Sequence, residues 1–404
     1  MNKIHAIPGF LFILFLAAGC SSPTSVTSTP TANLTSAPPT TTKLTSAPPT
    51  TATQTAAPTP TATLSADAQL VGKLDVALAA LAQQGSLSGA ILVARDGNVI
   101  FNQGYGMANM EQKIPNTPEI KFHIGSLTKQ FTAMAILLLQ KQGKLDVKAS
   151  VCKYIEDCPE AWQPVTIQQL LIHTSGIHEF NKTPGMQEFV LHPATPLQII
   201  SQFRDLPLDF TPGEQFSFSN SGYMLLGYIV EKVSGQPYAS FLQQEIFDPL
   251  QMKNTGYDDE GQTGSDHALG YMNGTTPPPF VDRSIQYAAS GLYSTVGDLL
   301  LWDQALYTEK LLPALMQDEM FKPFVAIPAS TLSCGYGWYV GKQFDQPWFY
   351  TASGAVGFVG EINRFPATKV TIIILTNRQD TDLKSLNALI SPIVFGKDWV
   401  SPTK

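Results

Sequence analysis

Strand-like apolar runs stand at both ends of the foldable part of this chain, and helical periodicity fills the stretch between them. Near the start, Ala90-Ile91-Leu92-Val93-Ala94 and Val99-Ile100-Phe101 flank the turn Asp96-Gly97-Asn98, which reads as a β-hairpin. Near the end, Tyr336–Val340, Gly357–Ile362 and Val370–Leu375 read as three more strands. The last is almost wholly apolar and has to be covered on both faces. A helix follows from about Leu127, with Phe131, Met134, Ile136, Leu137, Leu138 and Leu139 apolar on most of its sides, which marks it for the core. Ala66 to Gln83 reads as an amphipathic helix with Leu70, Leu74, Leu78 and Leu81 on one face, ended by Gly85, and a helix from Asp382 to Ile393 closes the chain. A sheet made from both ends of the chain, with a helical insertion between, fits this order. The class is α+β, and the segmentation does not choose its topology.

Not all 404 residues enter that fold. Lys3 and His5 precede the apolar run Phe10–Leu16 and the small residues Ala17-Ala18-Gly19-Cys20, the layout of a secretory signal over residues 1–20. The run is short for a membrane span. Its ending resembles a bacterial lipoprotein box, in which Cys20 is acylated and becomes the mature N-terminus, although Ala17 stands where Leu is usual. An ordinary signal with an incidental cysteine is the other reading. Residues 21–64 are almost all Ser, Thr, Pro and Ala, and residues 34–41 recur at 44–51. Nothing there is apolar enough to offset ordering entropy, so an extended tether is expected, open to O-linked sugars. Residues 65–398 form the expected folded domain. These features predict export to the bacterial cell envelope and a membrane held through a lipid anchor. The net charge of −7 argues against a nucleic-acid partner. The cysteines fit no zinc template. Cys152 and Cys158 are close enough to close a short loop by a disulfide in an oxidising compartment, which leaves Cys334 as a buried thiol.

Phe122-His123-Ile124-Gly125-Ser126-Leu127-Thr128-Lys129 carries the chemistry. A serine hydroxyl needs a neighbouring base to become a nucleophile. Residues three apart share a helix face, so Ser126 and Lys129 meet if the helix starts there. Ser-x-x-Lys occurs three times, at Ser126/Lys129, Ser150/Lys153 and Ser401/Lys404, but only the first opens a core helix. Lys129 is then partly buried, and desolvation lowers a lysine pKa toward what a base requires. The plainer reading makes Ser126 a helix cap and Lys129 a wet surface residue.

The surrounding words resemble the serine β-lactamase and penicillin-binding protein superfamily. Phe122–Thr132 is similar to its first active-site motif, and Gly143-Lys144-Leu145-Asp146-Val147 to the turn that follows. Val165–Ile177 with His173-Thr174-Ser175-Gly176 is another signature, as are Pro212-Gly213-Glu214, Asn220-Ser221-Gly222-Tyr223 and Ser290–Thr295 with Asp298. The matches run in order from about Gly89 to Asn377. The resemblance implies a β-lactamase/transpeptidase-like fold, with an antiparallel sheet flanked by helices and a helical lobe opposite. It implies an acyl-serine mechanism in a cleft between them, with Ser126 as nucleophile, Lys129 as its partner, Asn220 from the second motif, and the Ser126 backbone N–H in an oxyanion hole. No cofactor is implied, and His173 becomes structural, so a metal site at His173, His178 and Glu179 is not expected.

Two motifs depart from that pattern. Phe218-Ser219-Asn220 puts a phenyl ring where the family has a proton-transferring tyrosine, and losing such a group typically costs about 10²–10⁴ in rate. Tyr271-Met272-Asn273 has the right letters in the wrong neighbourhood. Counting back from Gly357 puts Thr351-Ala352-Ser353 at the third motif, with Thr351 where a cation is usual and Ser353 in place of a small strand glycine, where a side chain is expected to crowd the groove. Tyr350 or Tyr223 could supply the missing phenol, against the plainer expectation that both are packing residues. The expected partner is a small-molecule or peptide substrate: a β-lactam, a D-amino-acid peptide or an ester. The lost tyrosine and cation argue against an efficient β-lactamase, because carboxylate recognition needs a positive group. The expectation is therefore a slow peptidase- or esterase-like serine hydrolase. Its rival is a tethered binding protein that kept the fold and lost the chemistry.

Overall fold

The computed structural model describes residues 66–258 and 264–396. The leader, Cys20, the Thr/Pro tract and the Ser401/Lys404 pair lie outside them. Eight antiparallel strands make the main sheet: β1 (Gly89–Arg95), β2 (Asn98–Tyr105), β3 (Val325–Ala326), β4 (Ser333–Cys334), β5 (Tyr339–Gln343), β6 (Gln346–Ala355), β7 (Phe358–Phe365) and β8 (Val370–Thr376). Their order is β2-β1-β8-β7-β6-β5-β4-β3. The two ends of the chain meet where β1 pairs with β8, from Gly89↔Thr376 to Arg95↔Val370.

Every residue of β8 is buried, because both faces of the sheet are covered. Ile373 and Leu375 point with Ala90 and Leu92 into the core of the helical lobe. Ile372 and Ile374 point with Ile91 and Val93 into a second core, beneath α1 (Ala66–Gln83) and α7 (Leu383–Val394). Leu70, Leu74 and Leu78 give α1 its buried stripe. The Asp382 side chain caps α7 by accepting from the Ser385 N–H.

The helical lobe is built on α2 (Thr128–Lys141), buried without a break from Thr128 to Leu139. Around it stand α3 (Ile167–Leu171), α4 (Asn220–Ser234), α5 (Tyr287–Ser290) and α6 (Val296–Ala305). A buried ion pair joins lobe to sheet: Arg364 of β7 lies 2.5 Å from Asp303 of α6, which also accepts from Thr371 Oγ1 of β8. Cys152 and Cys158 are disulfide-bonded with Cα atoms 5.2 Å apart, and Cys334 is a buried free thiol.

The strands differ from the apolar pattern in two places. The strand expected over Tyr336–Val340 begins only at Tyr339, because Gly337 takes φ +75 and turns the chain. Ten residues from Gln346 to Ala355 form β6, which the apolar pattern does not mark and which only the alignment of the third motif places on a strand.

Candidate active site

Gly125–Leu127 make one 3₁₀ turn that runs directly into α2. Residues three apart eclipse in such a turn. Ser126 and Lys129 are thereby brought together, with Lys129 Nζ 3.0 Å from Ser126 Oγ. The turn is gripped from two sides. Gly125 sits at φ +48, and a Cβ there would overlap the Ser353 hydroxyl and come within 2.9 Å of the Ala355 Cβ. Gly337 passes so near that a Cβ on it would lie 2.8 Å from the Lys129 carbonyl oxygen.

Lys129 is only 3% exposed, and its Nζ has two further acceptors, Asn220 Oδ1 and the Ala289 carbonyl, each at 2.9 Å. Burial pushes its pKa down from 10.5 to about 7, with the Glu179 charge opposing part of that fall. Near neutrality both protonation states are therefore populated. In the neutral amine, two N–H groups satisfy Asn220 and Ala289 and the lone pair is left facing the Ser126 hydroxyl. That is the arrangement a base needs.

Asn220 reaches Lys129 because the sequence fixes the chain on both sides of it. Thr166 and Gln169 form a reciprocal capping box that starts α3. At its end His173 turns the chain at φ +60, and its carbonyl accepts from the Ser217 N–H. His173 Nδ1 accepts from the Ser219 N–H at 3.1 Å, and the Phe218 and Tyr223 rings pack against the imidazole with centroids 4.8 and 5.2 Å away. Burial and then the Lys129 charge drive the His173 pKa down to about 3, so it is neutral. His178 pairs with Asp209 at 2.7 Å instead of facing His173. Ser219 caps α4, and Asn220 is its first residue.

Phe218 does line the site: the Lys129 ammonium lies 5.0 Å from its ring centroid. Thr351 and Ala352 of β6 form part of the opposite wall. Ser353 does not crowd the groove as expected. Its hydroxyl turns to Gly125, into space that exists because Gly125 has no side chain. Neither tyrosine offered as a replacement phenol is free to act as one. Tyr223 is fully buried and its hydroxyl donates to the Leu171 carbonyl at 2.9 Å, while Tyr350 stacks on Trp348 at 4.4 Å and is not among the residues that line the pocket. Tyr271 is spent elsewhere, its hydroxyl accepting from the Met110 N–H. Of the other Ser-x-x-Lys pairs, Ser150 caps a turn by accepting from Cys152 N, and the Lys153 ammonium lies over Tyr154.

Five contributors were missed in the sequence. Tyr339, Trp338 and Cys334 share the pocket with Ser126 and Lys129, and burial holds the Tyr339 phenol well above its ordinary pKa. The Ala289 acceptor is a backbone carbonyl, which no residue letter announces, although the adjacent Ser290–Thr295 signature marks the segment. Glu179 was considered only for metal binding, yet it accepts from Asn220. The pocket is small, with a cavity volume of about 20 Å³. Lys129 is the one cation among its lining residues.

A family profile described as Beta-lactamase matches residues 68–394. The Bacillus subtilis (strain 168) protein PbpX is 31% identical over 300 residues, 74% of this chain and 72% of its own length. The octameric penicillin-binding protein homologue from Pyrococcus abyssi superposes with a TM-score of 0.72 at 28% identity, covering 81% of this chain and 78% of that one. The penicillin binding protein from Bacillus halodurans superposes with a TM-score of 0.68 at 25% identity, over 77% and 98% of the two chains.

Proposed function

This chain belongs to the β-lactamase family of serine hydrolases, and from that membership we propose that it cleaves a small ester or peptide-like amide through an acyl-Ser126 intermediate. One observation carries the reading: the amine of a buried lysine, its pKa pushed down to about 7 by burial, lies 3.0 Å from an otherwise ordinary serine hydroxyl. Ser126 Oγ attacks the substrate carbonyl carbon while Lys129 Nζ takes its proton. The tetrahedral oxyanion collapses, the bond to the leaving group breaks, and the Lys129 ammonium returns the proton to the departing oxygen or nitrogen. Water then repeats the sequence on the acyl-enzyme, releasing the acid and restoring Ser126. Asn220 and the Ala289 carbonyl hold the amine in place throughout.

The walls favour an uncharged acyl group. Phe218, Trp338, Tyr339 and Cys334 are mostly apolar, and among the described residues that line the pocket there is no arginine or second lysine to hold a substrate carboxylate. β-Lactams and carboxylate-ended peptides are accordingly the poorer substrates. Residues 1–64 supply the address in this reading, with export, acylation of Cys20 and a spacer that holds the domain off an envelope membrane. A second reading has one observation in its favour: the phenyl ring of Phe218 beside Lys129 cannot relay a proton, as a binding protein would tolerate. Incubation with a fluorescent fluorophosphonate and a fluorescent penicillin distinguishes them. The hydrolase labels at Ser126, faster with the first probe, and Ser126→Ala takes no label. A wild-type protein that stays unlabelled, or a mutant that still labels, removes the hydrolytic reading in favour of the binding one.

A further inference from the structure

The steps above make no use of Glu179, a carboxylate only 8% exposed at the N-terminus of the 15-residue α4. Four donors converge on its two oxygens. Oε2 accepts from the backbone N–H of Asn220 at 2.6 Å and of Ser221 at 3.4 Å. Oε1 accepts from Asn220 Nδ2 at 3.1 Å and from Asn181 Nδ2 at 2.8 Å. The backbone bonds alone would make it a helix cap. The bond to Asn220 Nδ2 goes further. A primary amide has one acceptor end and one donor end. With the NH₂ held by Glu179, the oxygen has to face the other way, where Lys129 Nζ lies 2.9 Å from it.

We propose that Glu179 is the positioning residue of this site, locking the Asn220 amide with its oxygen on Lys129 and setting a negative charge behind the lysine. The inference rests on the hydrolytic reading for the roles of Lys129 and Asn220, but not for their geometry. The electrostatics agree, since burial lowers the Lys129 pKa and the Glu179 charge raises it. The other groups around Lys129 are Ser126 from the 3₁₀ turn, the Ala289 carbonyl from α5, the Phe218 and Tyr223 rings, and neutral His173. Those around Glu179 are Asn181, Asn220 and Ser221, with the adjacent His178 held by Asp209.

Glu179→Gln is the sharpest variant. It keeps the size, removes the charge, and turns an amide NH₂ toward donors that previously met a carboxylate. The full-length protein, labelled with ¹³C at lysine ε-carbons, is titrated by NMR, with the Lys129 signal assigned by its loss in Lys129→Met. The midpoint falls by about half a unit or more in Glu179→Gln, stays near the wild-type value in Glu179→Asp, and does not move in His178→Gln. Phosphonylation of Ser126 by the fluorophosphonate, with loss of fluoride, slows in Glu179→Gln by about tenfold or more, as expected when a reacting pair is misplaced, and its pH inflection moves to lower pH. An unmoved Lys129 midpoint in a Glu179→Gln protein that folds overturns the proposal, as does an equal shift in His178→Gln. Should Glu179→Gln not fold, the wild-type spectrum decides. The Asn220 side-chain NH₂ must be protected from hydrogen exchange, and rapid exchange overturns the lock. A Lys129 midpoint that responds to Glu179 in a protein that takes no probe sinks the hydrolytic reading and leaves this inference standing.

Discussion

The Phe218 ring lies 5.0 Å from the Lys129 ammonium, and that contact limits what the site can do with a proton. An aromatic face stabilises the charged lysine but neither gives nor takes a proton. Thr351, opposite, is buried and uncharged where the family pattern has a cation. Restoring both groups with Phe218→Tyr and Thr351→His is therefore expected to raise the steady-state hydrolysis of a fluorogenic ester by about 10²-fold, within the range of one general acid–base group. Phe218→Tyr alone supplies the larger share. An unchanged rate in the double variant would mean that proton transfer does not limit the reaction. At this scale Ser126, Lys129 and Asn220 were legible because each is a side chain in a fixed word of sequence. The Ala289 carbonyl was not, because every residue carries one. Glu179 was not, because its meaning lies in which amide hydrogen it receives. Tyr339 was not, because only the sheet brings it across from β5.

Strand β6 shows why the elements were less legible than the residues. Strand β8 advertises itself with a long apolar run, whereas Gln346–Ala355 mixes a proline, three aromatic residues and four small residues toward its end. The small end is small for a reason of packing. It passes against the 3₁₀ turn that carries the nucleophile, and Ser353 fills the space opened by Gly125. Serine in place of the strand glycine is thus absorbed by the turn, leaving the groove clear. The coupling is measurable. Gly125→Ala should lose about 3 kcal/mol by denaturant titration, from overpacking and a positive φ together. Ser353→Gly in that background should return about 1 kcal/mol, since the hydroxyl clash goes while the Ala355 contact at 2.9 Å remains. Additive effects of the two substitutions would show that turn and strand are not in contact.

For the molecule as a whole, strand-like ends around a helical middle did predict one sheet closed by both ends, with β8 covered on two faces. What patterning could not give is the electrostatic cost of that enclosure, which depends on which titratable groups the two cores trap. His123 and His173 are buried, and burial is the main reason each pKa falls from 6.5 to about 3. Between those values the unfolded chain binds protons that the folded one refuses. Their contribution is complete above pH 6.5 and is lost as pH falls toward 3. Glu361 works in the opposite sense: burial raises its pKa from 4.5 to about 8, so stability declines as pH rises through that window. Lys129, lowered from 10.5 to about 7, adds stability as pH climbs from 7 to 10.5. Two histidines outweigh one glutamate between pH 6.5 and 4.5, and below 4.5 the glutamate no longer offsets them. The melting temperature should therefore vary little from about pH 6.5 to 8 and fall steeply below about 4.5. His123 is the one to test, because its Nδ1 accepts a single long bond from the Gly125 N–H at 3.4 Å and its ring already packs against Phe358. His123→Phe should keep the neutral-pH melting temperature within a few degrees and remove about half of the acid loss. An acid limb of undiminished steepness in that variant would assign the loss to surface carboxylates rather than to the histidines enclosed beside the site.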